Sequence, residues 1–542
     1  MQQPSAVIEP QAGEPLAEPT VCAAFQRVAA LHGDKPAFTT VEGEVTLTWA
    51  QAAERVERIA GSLAALGIGP GDTVAMLLPN VLECHLVDFA AIHLGAVPFT
   101  IYNSSSPEQI AHQLDNADAR VLLSQADFAE KVAATRELTG IVEHAFLSLD
   151  ELEAHAPPEG FDFAAAWRGV DREDLVTLIF TSGTTGPPKG AQIAHRTVMA
   201  QLRSLAAVLP MPSEAIISFL PMAHAGGRLT SHYMALAHGA PITPCPDMKE
   251  LPVYLAKVRP DVLFAVPRLW EKLQVGIEAL LDGAEATREN AAPVLARMGL
   301  DRIKVGFVGG APSAPELSEF FRSVGVPLLE AYGLTEGSLN IFNRIEEFKG
   351  GTAGRPLPGV EMRLAADGEI LIKSDLVFSG YRKEPEKTAE TIDADGWLHT
   401  GDIAEVDEDG YVKIVDRKKE IIINAAGKNM SPANIEQAIK GESSLIGQVV
   451  CIGDGRRYNT ALITLDPEAA PRYPDEAARR AEIDRAVAAG NERLSRVEQI
   501  KKYTLLDSAW LPDSDELTPT MKLKRKPIAA KYSDAIEAMY AE

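Results

Sequence analysis

Apolar residues recur along this chain in two alternating patterns, and together they predict helices layered on sheets. Ala53, Val56, Ile59, Ala60 and Leu63 share one face of a helix that Thr48 can cap and Gly67 can stop. The run Thr73 to Leu78 (TVAMLL) is unbroken and short, which suits a buried strand. Leu86 to Leu94 then reads as a helix ended by Gly95, Ser106-Pro107 opens another, and Arg120 to Leu123 (RVLL) reads as a strand. Strands alternating with helices predict an α/β fold with largely parallel sheets. Val176 to Phe180 (VTLIF), Lys304 to Val308 (KVGFV) and Val326 to Leu329 are further strands, each running into a segment of glycine or polar residues.

The pattern changes at Asp416-Arg417-Lys418-Lys419, a charged connector. Beyond it lie short strands (Glu420 to Ile423, Gln448 to Ile452, Ala461 to Leu465) and a helix opening at Ser431-Pro432, where serine caps and proline suits the first turn. A chain of 542 residues exceeds what one hydrophobic core serves. The expected organisation is a large, multi-layered α/β N-terminal domain over residues 1–415 and a small α+β C-terminal domain over 416–542.

Charge narrows the function classes. With 52 basic against 76 acidic residues the net charge is −24, which opposes nucleic-acid binding as the main task. Cys22, Cys84, Cys245 and Cys451 are far apart, so neither a disulfide framework nor a structural zinc site is expected, and a reducing cytoplasm fits. The leader MQQPSAVIEPQAGEPLAEP lacks the basic start and apolar core of a signal peptide. No stretch reaches the ~18 apolar residues of a membrane span, which leaves membrane contact, if any, peripheral.

Against that background, FTSGTTGPPKGAQIAH (Phe180 to His195) has the makings of a phosphate cradle. Consecutive backbone N–H groups in a glycine-rich turn form an anion-binding hollow, hydroxyls add donors without bulk, and Lys189 adds a compact charge. It is not a Walker loop, because Lys189 is followed by Gly190 and has no glycine directly before it. Glu330 to Glu336 (EAYGLTE) offers a ring, a backbone turn, a hydroxyl and a carboxylate. Tyr332 can stack on a purine, Thr335 can bond a phosphate, and Glu336 can hold Mg2+. In DGWLHTGD, Asp402 reads as an exposed carboxylate able to chelate ribose hydroxyls, with Arg417 placed to share them. The basic run ELTPTMKLKRK (Glu516 to Lys526) reads either as a solvated face or as the source of a lysine that neutralises a phosphate.

In this order the motifs resemble the adenylate-forming enzymes, which include acyl-CoA synthetases, firefly luciferase and the adenylation domains of peptide synthetases. The resemblance runs from about residue 25 to 535. It implies that Thr181, Ser182, Gly183, Thr184, Thr185, Gly186 and Lys189 surround the ATP β- and γ-phosphates. Gly309, Gly310, Ala311 and Pro312 would hold the adenine with Tyr332, Gly333 and Leu334. Thr335 would meet the α-phosphate, Glu336 and Thr184 the Mg2+, and Asp402 and Arg417 the ribose. Aligned with the family's T-x-x-G-K, Thr518 to Lys522 makes Lys522 the catalytic lysine, with Met521 where the glycine usually stands and Lys524 as second choice. The C-terminal domain would be a mobile lid hinged at Asp416. It would present Ala425 to Asn429, with Gly427 and Lys428, to the pantetheine tunnel of coenzyme A.

LPMAHAG (Leu220 to Gly226) matches the motif bordering the acyl pocket, with His224 at its centre as a pocket or gate residue. The resemblance to the long-chain fatty-acyl branch, including bubblegum-type synthetases, extends through VRPDVLFAVPRLWEKL (Val258 to Leu273). That branch commonly has an acidic residue before the arginine where this chain has Gly227-Arg228. Phe264, Val266 and Trp270 could line the pocket or the core. The implied reaction is ATP-dependent conversion of a long-chain fatty acid to acyl-adenylate and then acyl-CoA. The alternatives are a fatty-acyl-AMP ligase loading a carrier protein, a CoA ligase for an aryl or other bulky acid, and a catalytically silent nucleotide- and lipid-binding protein. The sequence leaves the oligomeric state open between monomer and homodimer.

Overall fold

Thr48 caps the helix Trp49–Ala65 through a reciprocal capping box with Gln51, and Ser106 does the same with Gln109 for Pro107–Ala117. Both are helix starts that local hydrogen bonding settles before any packing. These contacts belong to a computed structural model that describes residues 10–181, 187–425, 427–511, 514–518 and 521–541. On the first helix Ala52, Val56, Ile59, Ala60 and Leu63 are buried, while Ala53 sits one position off the buried stripe.

The chain divides into two compact units: Met1–Gly310 with Leu317–Arg363 and Leu371–Thr400, and Ala311–Glu316 with Leu364–Ile370 and Gly401–Glu542. In the first unit a parallel sheet joins Val97–Thr100, Thr73–Met76, Val121–Leu123 and His144–Phe146 in that spatial order. A second sheet sets Val262–Ala265, Val305–Val308 and Leu328–Leu334 parallel, and then adds Ser338–Phe342 and Arg355–Pro356 antiparallel. Its core includes Trp270, Phe321, Leu263 and Leu328. The strand expected at Val176 to Phe180 departs from the parallel rule. It is Leu175–Thr181, and it pairs antiparallel with Lys189–Ala194, which in turn pairs with Gly380–Tyr381.

The second unit carries the sheet Ile446–Ile452, Asn459–Leu465 and Ile500–Leu506 with the helices Pro432–Lys440 and Glu476–Glu492. Ile435, Ile439, Ile463 and Ile483 fill its core. The strand read at Glu420 to Ile423 shortens to Ile422–Ile423 against Asn429–Met430. The charged connector at Asp416 begins within a strand, Val412–Arg417, which pairs antiparallel with Leu398–Val406. Among the described residues no helix is long and apolar enough to cross a membrane.

Candidate functional site

In the first unit Thr181 and Lys189 face each other across the antiparallel pair that carries the glycine-rich segment. Ser182, Gly183, Thr184, Thr185 and Gly186 lie outside the described residues. Lys189 is partly exposed, with its ammonium 4.0 Å from Glu384 and 5.2 Å from the ring centre of Tyr381. The Tyr381 hydroxyl donates to Glu336 Oε1 at 2.6 Å. One tyrosine therefore touches both the lysine and the carboxylate that the sequence singled out. Tyr381 itself was not legible, because it lies 45 residues from Glu336 and reaches it only through strand pairing.

The segment EAYGLTE also differs from its reading. Tyr332, Gly333 and Leu334 are not in a turn but continue the strand Leu328–Leu334, and the chain turns after them, through Thr335, Glu336 and Gly337. Gly333 makes this possible: a Cβ there would lie 2.3 Å from the carbonyl oxygen of Ser338 on the returning strand. Gly309 follows the same rule, since its Cβ would meet the Ala331 carbonyl oxygen at 2.8 Å. Gly310 has φ +80, as expected of a turn glycine. Gly309 is buried, whereas Gly310, Ala311 and Pro312 are exposed.

In LPMAHAG the half-buried imidazole of His224 accepts from the Gly226 N–H at 3.0 Å through Nδ1, so its proton sits on Nε2. Gly226 gives room to Phe264, whose ring would lie 2.7 Å from a Cβ at that position and 3.7 Å from one at Gly309. Phe264 thus stands between the His224 loop and the Gly309 turn. Trp270 is core: its indole donates to the Phe307 carbonyl at 2.9 Å and its ring meets Phe321 edge-on.

Position 227 is glycine, and the arginine after it finds its acidic partner on another helix. Arg228 is buried and pairs with Asp88 on the helix Leu82–His93, while its Nε donates to the Met222 carbonyl at 3.0 Å. Asp88 also takes His232 Nε2 at 2.9 Å, and His232 Nδ1 lies 2.9 Å from His85 Nδ1. Burial alone pushes the Asp88 carboxyl up, but Arg228 and His232 outweigh it and hold the group below its ordinary value. The loop is thereby tied at both ends, because Asn80 donates to the Leu220 carbonyl at 3.0 Å.

The second unit holds the remaining residues. Asp402 and Arg417 are cross-strand partners, with Nε 2.8 Å from Oδ1. The expected exposed carboxylate is in fact buried, its side chain 5% exposed against 48% for Arg417, because it alternates inward on its strand and the guanidinium covers it. Asp416 is buried as well. Its Oδ2 accepts from the Ser431 hydroxyl at 2.6 Å and the Ala433 N–H at 3.0 Å, so it caps the helix Pro432–Lys440 together with Ser431. Gly427 has φ +76 and open space around it, and the Lys428 N–H donates to Asn424 Oδ1 at 3.0 Å. Ala426 lies outside the described residues.

The basic run resolves into distinct roles. Lys524 donates to the Ser514 carbonyl at 2.8 Å, and Arg525 makes two bonds to Glu436, at 2.5 and 2.8 Å, and one to Glu420 at 3.0 Å. Lys522 is exposed on a hairpin closed by its own N–H to Thr518 Oγ1 (3.0 Å) and by the Thr518 N–H to its carbonyl (2.9 Å). Met521 has φ +64, the conformation that a glycine would adopt at that place. Pro519 and Thr520 lie outside the described residues.

Residues 25–382 match the family described as AMP-binding enzyme, and residues 419–542 match its C-terminal domain. The chain belongs to the AMP-binding enzymes. FadD11 of Mycobacterium tuberculosis is 42% identical over 448 residues, 73% of this chain and 78% of that protein. The long-chain-fatty-acid–CoA ligase FadD15 of the same species is 34% identical, covering 91% of this chain and 92% of the relative. The ATP-bound crystal structure of MatB from Rhodopseudomonas palustris superimposes with a TM-score of 0.76 at 25% identity, covering 95% of this chain and 99% of that one.

AMP-binding acyl-CoA ligases work with ATP, Mg2+ and coenzyme A. The oxygen chemistry of this chain fits the metal: Glu336 is a half-buried carboxylate on the turn after Leu334, oriented by a phenol whose ring also lies beneath Lys189. Magnesium is held by one or two such carboxylates together with substrate phosphates.

Proposed function

We propose that this AMP-binding enzyme is a long-chain fatty acid–CoA ligase, which joins a fatty acid to AMP at the expense of ATP and then passes the acyl group to coenzyme A. The observation that carries the substrate class is FadD15, a long-chain-fatty-acid–CoA ligase matched along nine-tenths of both chains. The pairing of Lys189 and Glu336 around Tyr381 and the Asp402–Arg417 pair support the nucleotide chemistry.

In the first half-reaction a carboxylate oxygen attacks the α-phosphorus, a C–O–P bond forms, and the bond to the bridging oxygen breaks as pyrophosphate leaves. Lys189, with Thr181 and the segment Ser182 to Gly186, grips the departing phosphates. Bound Mg2+ supplies charge neutralisation on the phosphate oxygens. Thr335 and Lys522 stabilise the charge that builds on the α-phosphate. Asp402 and Arg417 hold the ribose, and Gly309 to Pro312 with Tyr332 to Leu334 hold the adenine. In this scheme Lys522, aligned with the family's T-x-x-G-K lysine, is the acting lysine, with Lys524 as the second choice.

In the second half-reaction the coenzyme A thiol attacks the acyl carbonyl and AMP leaves with the C–O bond electrons. The small domain rotates about Asp416 between the two steps, withdrawing Lys522 and bringing Gly427 and Lys428 to the pantetheine path. His224 and Phe264 border the acyl entrance. An amphiphilic acid of this class is drawn from lipid, so contact with a membrane surface from the cytoplasmic side belongs to this reading.

The test is product formation from a panel of acids, C2 to C24 with aromatic acids included, assayed with and without coenzyme A. Long-chain acyl-CoA as the preferred product supports the proposal. Acid-dependent pyrophosphate release without acyl-CoA when coenzyme A is added points instead to a carrier-loading ligase, and no acid-dependent release with any acid to a silent binding protein. Lys522→Ala should slow adenylation far more than thioester formation from supplied acyl-adenylate, and equal loss in both contradicts the rotating scheme.

A further inference from the structure

We propose that Tyr381 is a positioning residue of the adenylation step, holding Glu336 in the orientation that receives the magnesium–ATP complex while its ring supports Lys189. The proposal rests on the assignment of Glu336 to the metal and Lys189 to the phosphates.

Three independent contacts define the arrangement. The phenol donates to Glu336 Oε1 at 2.6 Å, a short bond of the kind an ionised acceptor makes. The Lys189 ammonium lies 5.2 Å from the ring centre, within cation–π range. Tyr381 pairs with Ala191 across the sheet, so Lys189, two residues along, projects from the same face. The register of one short strand therefore sets one tyrosine against both the lysine read as phosphate-binding and the carboxylate read as metal-binding.

The tyrosine is itself well held. Its N–H donates to Thr388 Oγ1 at 2.9 Å, and Phe378 packs edge-on against the ring at 4.9 Å. Gly380 before it has φ +121, and a Cβ there would lie 2.7 Å from a Thr388 methyl. The backbone at this strand end thus tolerates little but glycine. A carboxylate has about four acceptor sites, so one phenol bond orients Glu336 without consuming its capacity for a cation.

An ordinary packing tyrosine would lose little when its hydroxyl is removed. A positioning one loses the metal-dependent part of nucleotide binding. Tyr381→Phe keeps the ring, so calorimetric titration of the whole protein with ATP, without acid, separates the two. We expect MgATP to bind about tenfold more weakly and ATP in EDTA to bind within about twofold of wild type, because hydrogen bonds to charged groups carry effects of that size. Tyr381→Leu should also weaken metal-free ATP binding, through loss of the ring beneath Lys189. Thioester formation from supplied acyl-adenylate should stay within about twofold in Tyr381→Phe.

Unchanged MgATP affinity in Tyr381→Phe overturns the proposal, as does an equal loss with and without magnesium. Glu336→Gln is titrated in parallel. If it loses the magnesium-dependent affinity while Tyr381→Phe keeps it, the role of Tyr381 alone is wrong. If Glu336→Gln keeps it, the metal assignment fails and takes the proposal with it.

Discussion

Arg228 and Asp88 form an ion pair sealed from solvent, with side chains 2% and 0% exposed. Both charges are further satisfied, Arg228 by the Met222 carbonyl, Thr100 and Tyr233 and Asp88 by His232. Removing one member of such a pair strands the other, at a cost of about 3–5 kcal/mol, whereas replacing both with apolar residues costs far less. Asp88→Ala should therefore lower the urea midpoint sharply, and Asp88→Ala with Arg228→Met should recover much of it. The buried indoles Trp49 and Trp270 report the transition by fluorescence. A double variant as weak as the single would refute this account.

Position 227, just before this arginine, has no room for the acid usual there. A Cβ at Gly227 would lie 2.4 Å from the Pro221 carbonyl oxygen and 2.7 Å from that of Leu220. These are backbone atoms, the Leu220 carbonyl held by Asn80 and the Pro221 carbonyl by the His224 N–H, and cannot yield as a side chain would. Gly227→Glu should thus fail to give folded protein rather than restore a familiar motif. Gly401→Ala makes a useful contrast: φ is +72 but the space is open, so the cost should be only about 1 kcal/mol in thermal unfolding. Folded Gly227→Glu with wild-type midpoint would contradict the geometry.

What local chemistry decides was legible: the Thr48 and Ser106 caps, the strand at Val305–Val308 and the cap at Ser431 all stand where hydrogen bonding and patterning put them. What strand pairing decides was not. Asp402 looked exposed because the covering guanidinium arrives from a second strand, and Tyr332 to Leu334 looked like a turn because Gly333 suggests one. Asp88 and Tyr381 were invisible for the same reason: their partners lie 140 and 45 residues away. Met521, which departs from the glycine of the motif, takes a left-handed conformation of the kind glycine favours.

Acid should loosen the first unit before it reaches the carboxylates. Burial lowers the His93 imidazole from 6.5 to about 4 and that of His195 from 6.5 to about 3. Each ring stays neutral when folded but takes a proton when unfolded, so the unfolded state binds more protons below the ordinary value. Stability is fully present above about pH 6.5 and declines towards pH 4 for His93 and pH 3 for His195. The slope should be about 1.4 kcal/mol per pH unit for each ring. Thermal midpoints recorded from pH 8 to pH 4.5 should be flat at first and then fall. A flat profile below pH 6 would show that these rings do not remain neutral.

Met521 sets two effects against each other. At φ +64 a side chain costs roughly 1–2 kcal/mol, yet here the thioether packs against the apolar cluster of Trp510, Leu517 and Ile528. Met521→Gly removes the strain and the packing together and should change stability little. Met521→Ala keeps the strain and loses the packing, so it should be the less stable of the two by about 1 kcal/mol. Met521→Leu keeps both and should resemble the wild type. Thermal unfolding ranks the variants, and an alanine variant as stable as the glycine one would show that the backbone at this turn relaxes out of the left-handed region. On the role proposed for Lys522, which follows this residue, a relaxed hairpin would lower adenylation with stability while thioester formation from acyl-adenylate would hold.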